Sequence, residues 1–508
     1  MADASLDGVT ELPGSGFSLV AGARLPALRR TWLDTFDWRL YRAGLTLEQV
    51  TGRGVAELRL TGRDGTLAAV EQLDGPAPRW PGQLDALPAG PLAEQLAPVI
   101  GVRALLPVAR ATSVRRQQRA LNADAKTIAR ITADQLSVTY PARAQLPARL
   151  TVTAVRGYQA PADRLAGLLS ARPDGAAGRP ALEAALGAAG RRPGDYSGRI
   201  DLDLDPGMPA AQAMASVFEA LLGMLEANVA GTIADIDTEF LHDLRVAVRR
   251  TRTALKLAGQ VLPRGARSRF RAEFKWLGDL TTPTRDLDVY LLRLPQMTAS
   301  LVGADAADLG PFADHLRRRR ARARRELVRG LRSARFTRLR ADWRAVLDQA
   351  AAPARRKPAA AALAAASIAA VHRRVLASGA AITPASPAQS LHDLRKRCKE
   401  LRYLLEIFAS LHAPGAHWRA VRELKSLQDC LGEFQDTDVQ RAEIRAFAVQ
   451  MMDERQAPAQ TLLAMGEIAA GLARRQHQAR AEFAGLFTEF ASPAGQGRIT
   501  PLTRIAGS

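Results

Sequence analysis

The chain has 508 residues, 47% hydrophobic and 5% aromatic, with 71 Lys+Arg against 51 Asp+Glu for a formal net charge of +20. That length exceeds one ordinary core and predicts two or three domains, while the hydrophobic content fits a folded chain and not a disordered one. The charge favours a polyanionic partner (nucleic acid, anionic lipid or a phosphate polymer) and says nothing about fold.

The excess is uneven: roughly +4 falls in residues 1–205 and roughly +16 beyond them. Only Cys398 and Cys430 occur, which argues against a disulfide framework. The opening "MADASLDGVTELPG" lacks the basic and apolar regions of a signal peptide. No apolar run of about 20 residues is expected to cross a membrane, and "AAAALAAASIAAV" reads as an alanine-rich helix. The cytoplasm is the expected location.

In chain order, residues 14–155 read as mixed with strand character. "RTWLDTFDWRLYRAGLTLEQV", "GVAELRLTGRDGTLAAVEQL" and "KTIARITADQLSVTY" combine β-branched and aromatic runs with turn signals, and "RDG" at 63–65 fits a hairpin turn. A Gly/Pro/Arg-rich stretch at 170–198 surrounds a short alanine-rich piece, and "DLDLDPGMP" links onward. Beyond Ala210 the pattern is helical, with Pro and Gly confined to joints. Helices are expected at 211–230, 239–260, 266–282, 285–294, 304–329 and 333–350. A second set is expected at 358–378, 388–411, 416–432, 434–452 and 457–487. "AAAPARRKPAAAA" connects the sets, and the tail after Ser492 reads as frayed.

The two sets repeat. "LHDLRVAVRRTRTALKLAG" (241–259) lies over "LHDLRKRCKELRYLLEIFA" (391–409) at an offset of 150, and "EFKWLGDLTTPTRDLDV" (273–289) lies over "ELKSLQDCLGEFQDTDV" (423–439) at the same offset. Two blocks in one register indicate a duplicated unit.

Turning about 100° per residue, Leu241, Leu244, Val248, Thr251 and Leu255 share one arc, the core-facing stripe. His242, Arg245, Arg249, Arg252 and Lys256 fill the arc beside it. In the second copy Leu391, Leu394, Cys398, Leu401 and Leu405 repeat the stripe. His392, Arg395, Lys399 and Arg402 repeat the basic arc, with Glu406 in place of the last Lys. Asp243, Arg250, Asp393, Lys396 and Glu400 occupy a mixed far face. A solvated face gains from interspersed signs. An all-basic arc against the core therefore needs either partner acids or a bound anion. Lys275 and Lys425 are placed to join it from the next helix.

Histidines flanked by cations make poor metal ligands. Asp286/Asp288 and Asp436/Asp438 suit a helix cap or an ion pair with Arg better than a cation site. Cys398 is expected to be an inert core residue. In "LRRRRARARRELVRGL" (316–331), Arg318, Arg322, Arg325 and Arg329 share a face that reads equally as a second basic wall or a solvated one.

These repeated H-x-x-R-x-x-x-[RK]-x-x-R blocks resemble the two halves of a CHAD domain, the conserved-histidine α-helical domain, over about 210–490. The resemblance implies two pseudo-twofold-related helical bundles around a basic groove that binds inorganic polyphosphate, without catalysis. Carried over by position, its groove residues are His242, Arg245, Arg249, Arg252, Lys275, His392, Arg395, Lys399, Arg402 and Lys425. Residues 17–155 resemble in outline a CYTH domain, an eight-stranded antiparallel tunnel that handles triphosphates. "WLDTFDWRLYRAGLTL" looks like the strand and turn after its first helix, and "LPVARATSVRRQQRALNADAKTIARITADQLSV" looks like its later hairpins. The family's first strand carries E-x-E-x-K, whereas "GFSLVAGARL" has neither Glu nor Lys. A two-metal phosphoryl site needs such carboxylates, so an inert tunnel remnant is expected.

The expected fold is α+β: a CYTH-like antiparallel β-rich domain (14–205), then an all-α CHAD domain (210–490) with halves 210–350 and 358–490. No cofactor, metal or membrane is expected. The partner implied is inorganic polyphosphate, with association with polyphosphate granules. Two alternatives remain: nucleic-acid binding, disfavoured because the basic arcs hold no aromatic for base stacking, and an active CYTH triphosphatase, disfavoured by the missing carboxylates.

Overall fold

The computed structural model describes residues 16–170, 179–257, 262, 265–351 and 358–504, and the chain divides into two compact units at Gly198/Arg199. The first unit is built on one antiparallel sheet of eight strands. They are β1 (Ser18–Asp34), β2 (Leu45–Gly52), β3 (Val55–Gly62), β4 (Leu67–Gln72), β5 (Leu106–Leu121), β6 (Thr127–Tyr140), β7 (Ala144–Gln145) and β8 (Arg149–Ala154). The order is β4-β3-β2-β1-β5-β6-β7, with β8 also on β6. Among the described residues no pairing joins β4 to β7 or β8, so the expected tunnel is not closed by strand pairing. The 63–65 turn closes the β3–β4 hairpin, with Gly65 at φ 81°, a value that favours glycine. The β5–β6 hairpin occupies the long segment that resembles later CYTH hairpins.

Among the described residues, four helices cover the sheet: α1 (Arg39–Arg42), α2 (Pro91–Ile100), α3 (Gln159–Ser170) and α4 (Ala181–Gly187). Each of the longer three buries its apolar residues on a different part of the sheet. Leu92, Leu96 and Ile100 meet Leu47, Leu58 and Leu60. Leu165 and Leu169 meet Ile128 and Ile131, and Leu182 and Leu186 meet Trp32 and Leu136. On the sheet, Arg30 of β1 pairs with Glu48 of β2 and, at 3.1 Å, with Asp134 of β6.

The second unit is all-helical: α5 (Ala210–Ala234), α6 (Thr238–Leu257), α7 (Ala266–Ala299), α8 (Gly310–Leu331), α9 (Ala334–Ala351), α10 (Ala360–Ala380), α11 (Ala388–Ile407), α12 (Pro414–Asp453), α13 (Ala459–Ala491) and α14 (Pro493–Ile499). Two expected breaks are absent. Helix α7 runs through Pro283, and α12 runs through the join expected at 433. A proline removes one ladder bond, while buried Leu277, Leu287 and Tyr290 keep α7 docked on both sides of it. The tail is not frayed either. Helix α14 buries Ile499, the following 3-10 turn buries Leu502, and Arg498 pairs with Glu423. Residues 352–357 of the connector lie outside the described residues.

Two helices, α5 and α10, are in fact apolar and long enough to cross a membrane, contrary to the expectation of no such run. Both bury residues in the bundle: Met214, Phe218 and Leu221 in α5, Ile368, Val371 and Val375 in α10.

The duplication is visible as contacts between positions 150 apart. Pro209 bridges Ala359, with Ala210 N–H donating to Pro358 O (2.9 Å) and Ala360 N–H donating to Met208 O (2.8 Å). At a second point the Tyr290 hydroxyl lies 3.4 Å from the Gln440 carbonyl oxygen. The Pro209–Ala359 bridge is antiparallel, and the pairs Arg250–Glu406 and Lys256–Glu400 exchange the same two positions between the copies, which is the reciprocity of a pseudo-twofold. The two halves also share a core, in which Leu287, Tyr290, Phe312 and Leu316 pack with Ile444, Phe447, Met465 and Leu472.

Candidate polyanion-binding site

The expected apolar stripes are the buried ones. Leu241, Leu244, Val248, Thr251 and Leu255 of α6 are at most 4% exposed, and Leu391, Leu394, Cys398, Leu401 and Leu405 of α11 at most 1%. Burial pushes the Cys398 thiol up to about 12, which makes it unreactive. Asp237 caps α6, its Oδ1 accepting from the N–H groups of Glu239 (2.9 Å) and Phe240 (3.2 Å). Gln428 ties α12 to α11 by donating to the Cys398 carbonyl (2.7 Å).

Fixing those stripes aims the adjacent basic arcs into a cavity of about 450 Å³ between α6, α11 and α12. Arg249 enters from the first repeat; Arg395, Lys399 and Arg402 enter from the second. Arg249 and Lys399 are repeat-mates and repel each other electrostatically. Arg245, in turn, feels Arg249, Arg252 and Arg285. The two arcs therefore meet at Arg249/Lys399 and form one electrostatic strip.

Partner acids are present in the same cavity. Asp436 accepts from Arg395 (3.0 Å), and Gln435 Oε1 accepts from the same guanidinium (2.9 Å). Glu406 holds both Arg402 (2.8 Å) and Arg250 (2.7 Å). Glu433 is engaged by Arg475 (2.7 Å). Among the described residues, no carboxylate pairs with Arg249 or Lys399. Arg249 instead lies over the Tyr403 ring, 5.4 Å from its centroid. Burial, then Arg395 and Arg249, push the Lys399 ammonium down to about 8, with Asp436 opposing and Arg402 adding. This amine is cationic at neutral pH among neighbouring cations whose repulsion an anion would offset.

The remaining expected residues lie outside the cavity lining. Arg245 donates to Thr282 Oγ1 (2.6 Å) and Thr281 Oγ1 (3.2 Å), and burial lowers its pKa. Arg252 is exposed beside Gly278, where an added Cβ would stand 2.9 Å from its Nη1. His242 is half-buried on α6. His392 sits 3.3 Å from Asp438 and packs on Phe434. Lys275 is exposed and paired with Asp279 (2.6 Å), and Lys425 is exposed on α12.

Arg250, expected on the outer face, and Tyr403 also line the cavity, and so does Glu406, which stands in the second arc in place of the last Lys. Arg250 was expected on an outer mixed face, as was Glu400. Both are turned toward the other repeat: Glu400 is buried and faces Lys256 (3.7 Å) and Arg374 (3.5 Å). The signal was Glu406 itself, an acid where the first copy has Lys256.

The D-x-D aspartates are mid-helix ion-pair partners. Asp288 is held by Arg320, Asp436 by Arg395, and Asp438 lies near Arg441 (3.4 Å). Asp286 faces Arg245, and its pKa is raised first by burial and further by Glu443, against Arg245. On α8, Arg318, Arg322, Arg325 and Arg329 are all exposed. Arg320 and Arg324 anchor the opposite face to Asp235 (2.6 and 3.1 Å).

Residues 216–445 match the CHAD domain family, so the chain carries a CHAD domain there. Two solved structures are similar. The CHAD domain from the plant Ricinus communis has 27% sequence identity and a TM-score of 0.49 over 57% of this chain and 95% of that one. PptA from Streptomyces chartreusis has 18% identity and a TM-score of 0.43 over 55% of this chain and all of that one. No curated protein matches.

Proposed function

We propose that the helical unit binds inorganic polyphosphate without cleaving it. The observation that carries this reading is the meeting of Arg249 with Lys399, Arg395 and Arg402 in one open cavity, with Arg249 and Lys399 lacking acidic partners among the described residues. Guanidinium groups suit bidentate capture of phosphate oxygens, and the ammonium adds a point charge. A chain of phosphates would lie on Arg249, Arg395, Lys399 and Arg402 and continue over Arg245 and Arg252, with His242 and His392 as donors and Lys275 and Lys425 at the outer ends. The matched CHAD domain supports this, because the resemblance implies polyphosphate as ligand. We assign residues 210–490 to that domain, in halves 210–350 and 358–490, and residues 14–205 to a CYTH-like remnant. Granule association follows from the ligand.

Nucleic acid is the weaker reading. The cavity's aromatic, Tyr403, is buried and covered by Arg249, which leaves no open ring for base stacking. For the sheet unit, Arg30 engages Glu48 and Asp134, so those carboxylates are occupied structurally, and no phosphoryl transfer is proposed there.

The test is a titration of labelled polyphosphate against single-stranded DNA of equal charge, at several salt concentrations. Polyphosphate should bind more tightly at physiological salt and weaken steeply as salt rises. Equal affinity for both polymers would overturn the reading. Metal-dependent release of phosphate from triphosphate by the purified protein would overturn the non-catalytic assignment.

A further inference from the structure

Lys399 has surroundings unlike those of the exposed lysines. It is half-buried and lines the cavity. Arg395 precedes it by about one turn on α11, Arg402 follows by about one turn, and Arg249 reaches it from α6. The acids that face this space are committed: Asp436 to Arg395 and Arg293 (3.6 Å), Glu406 to Arg250 and Arg402, Glu433 to Arg475. Asp429 lines the rim and is exposed.

We infer that Lys399 is an acylation site selective for acyl phosphates: Arg249, Arg395 and Arg402 hold the phosphate group while the Lys399 amine attacks the acyl carbon. The inference rests on reading the cavity as a phosphate site. A nitrogen–carbon bond forms and the acyl carbon–oxygen bond to phosphate breaks. The attacking nitrogen loses one proton, which leaves with the phosphate as hydrogen phosphate. Nothing is oxidised or reduced. Three guanidiniums around the departing phosphate stabilise the charge that develops on it.

The amine must be neutral to attack. With its pKa near 8, about half of Lys399 is neutral at pH 8, against roughly one in three hundred for a lysine at the ordinary value of 10.5. An arriving anion relieves the cation crowding, but burial, the largest cause of the depression, persists. Part of the advantage is returned because a less basic amine is a weaker nucleophile. The amide product is neutral and bulkier, so acylation removes one of the two cations without an acidic partner and obstructs the polymer. It acts as a brake on polyphosphate binding.

The experiment treats the full-length protein with acetyl phosphate at pH 8 and follows each lysine by peptide mass spectrometry. Lys399 should acylate at least tenfold faster than Lys425 and Lys396, both exposed. Prior addition of polyphosphate should remove that preference, as should R395Q. Phenyl acetate, a neutral acyl donor, should show a preference at least threefold smaller. After treatment the wild type should lose at least fivefold in polyphosphate affinity, while K399R, which keeps the charge and lacks the amine, should not. A Lys399 rate within twofold of Lys425, or equal preference with phenyl acetate, overturns the inference. Polyphosphate binding measured on the same sample separates the two readings. Tight binding without selective acylation sinks only the acyl-phosphate site. Selective acylation that polyphosphate neither blocks nor accompanies sinks the polyphosphate reading.

Discussion

Arg250 of α6 and Glu406 of α11 form an ion pair of 2.7 Å, and the residues 150 positions from each, Glu400 and Lys256, face each other at 3.7 Å. A pseudo-twofold brings position 250 of one copy against position 256 of the other, twice. Had both copies kept basic residues there, four cations would meet at the seam. The second copy carries acids at both positions instead, so each contact joins opposite charges. Arg250 is 11% exposed and Glu406 22%, so losing one partner should cost about 1–3 kcal/mol. R250E should lower the stability of the helical unit by at least that much, since Glu406 then faces a like charge. E406R should restore part of it in the double variant, read as a coupling energy from denaturant melts of all four proteins. Strict additivity would show that the pair does not couple the halves.

The repeat, the helix count in outline and both apolar stripes were legible because 3.6-residue periodicity fixes which side chains enter a core. Cys398 among leucines illustrates this: its position in the stripe alone foretold its burial. The seam was not legible, because periodicity says which residues leave the core and nothing about what they meet. Arg250 and Glu400 therefore read as solvated when each faces the other repeat. Pro283 read as a break, since sequence shows the lost N–H and not the packing on both sides of it. In the sheet unit, the absence of Glu from β1 could be read directly. Nothing local, however, announced that Arg30 would bind acids 18 and 104 residues away.

The cavity should respond to the loss of Arg249 and Arg395 together. A phosphate contact made by charge-assisted hydrogen bonds contributes about 1–3 kcal/mol, and removing Arg395 also uncovers Asp436, which then repels the ligand. R249A/R395A should weaken polyphosphate binding well over tenfold. It should also reduce the salt slope by about 1.4, at roughly 0.7 per lost contact on a flexible chain. The matched control is R325A/R329A, which removes the same charge from the exposed face of α8. Equal losses from the two pairs would mean that net charge alone does the binding.

Lys399 makes binding depend on pH in a stated direction. In the free protein its proton is lost above about pH 8; an anion in the cavity relieves the cation crowding and raises the pKa part of the way toward 10.5, burial persisting. Between the free and the raised value binding takes up as much as one proton, so affinity should fall by up to tenfold per pH unit. Below pH 8 the amine is protonated in both forms and this contribution is flat. K399R stays charged throughout and should abolish the slope above pH 8. Titrations in buffers of different ionisation enthalpy would count the proton directly, and an unchanged slope in K399R would assign it to another group.

The sheet unit offers an independent pH test at Asp34, which is 2% exposed at the end of β1. Burial raises its carboxyl to about 6, although the N–H groups of Thr35 (2.7 Å), Leu40 (3.0 Å) and Tyr41 (2.9 Å) all donate to it and oppose the shift. A folded value above the ordinary 3.8 means that the folded state holds the proton more tightly than the unfolded one. Its contribution is fully present below about pH 3.8 and is lost as pH rises through 6, at up to about 1.4 kcal/mol per unit. Other carboxylates titrate in the same window with the opposite sign, so the difference from a variant is the informative quantity. Asn in place of Asp34 keeps one oxygen acceptor for those N–H groups and cannot ionise. Relative to D34N, the wild type should therefore lose stability between pH 4.5 and 6.5. Buried Trp32 and Trp38 lie in this unit, and their fluorescence during urea unfolding at the two pH values would report it. A difference that stays constant across the window would mean that the three backbone donors outweigh burial, leaving Asp34 ionised throughout.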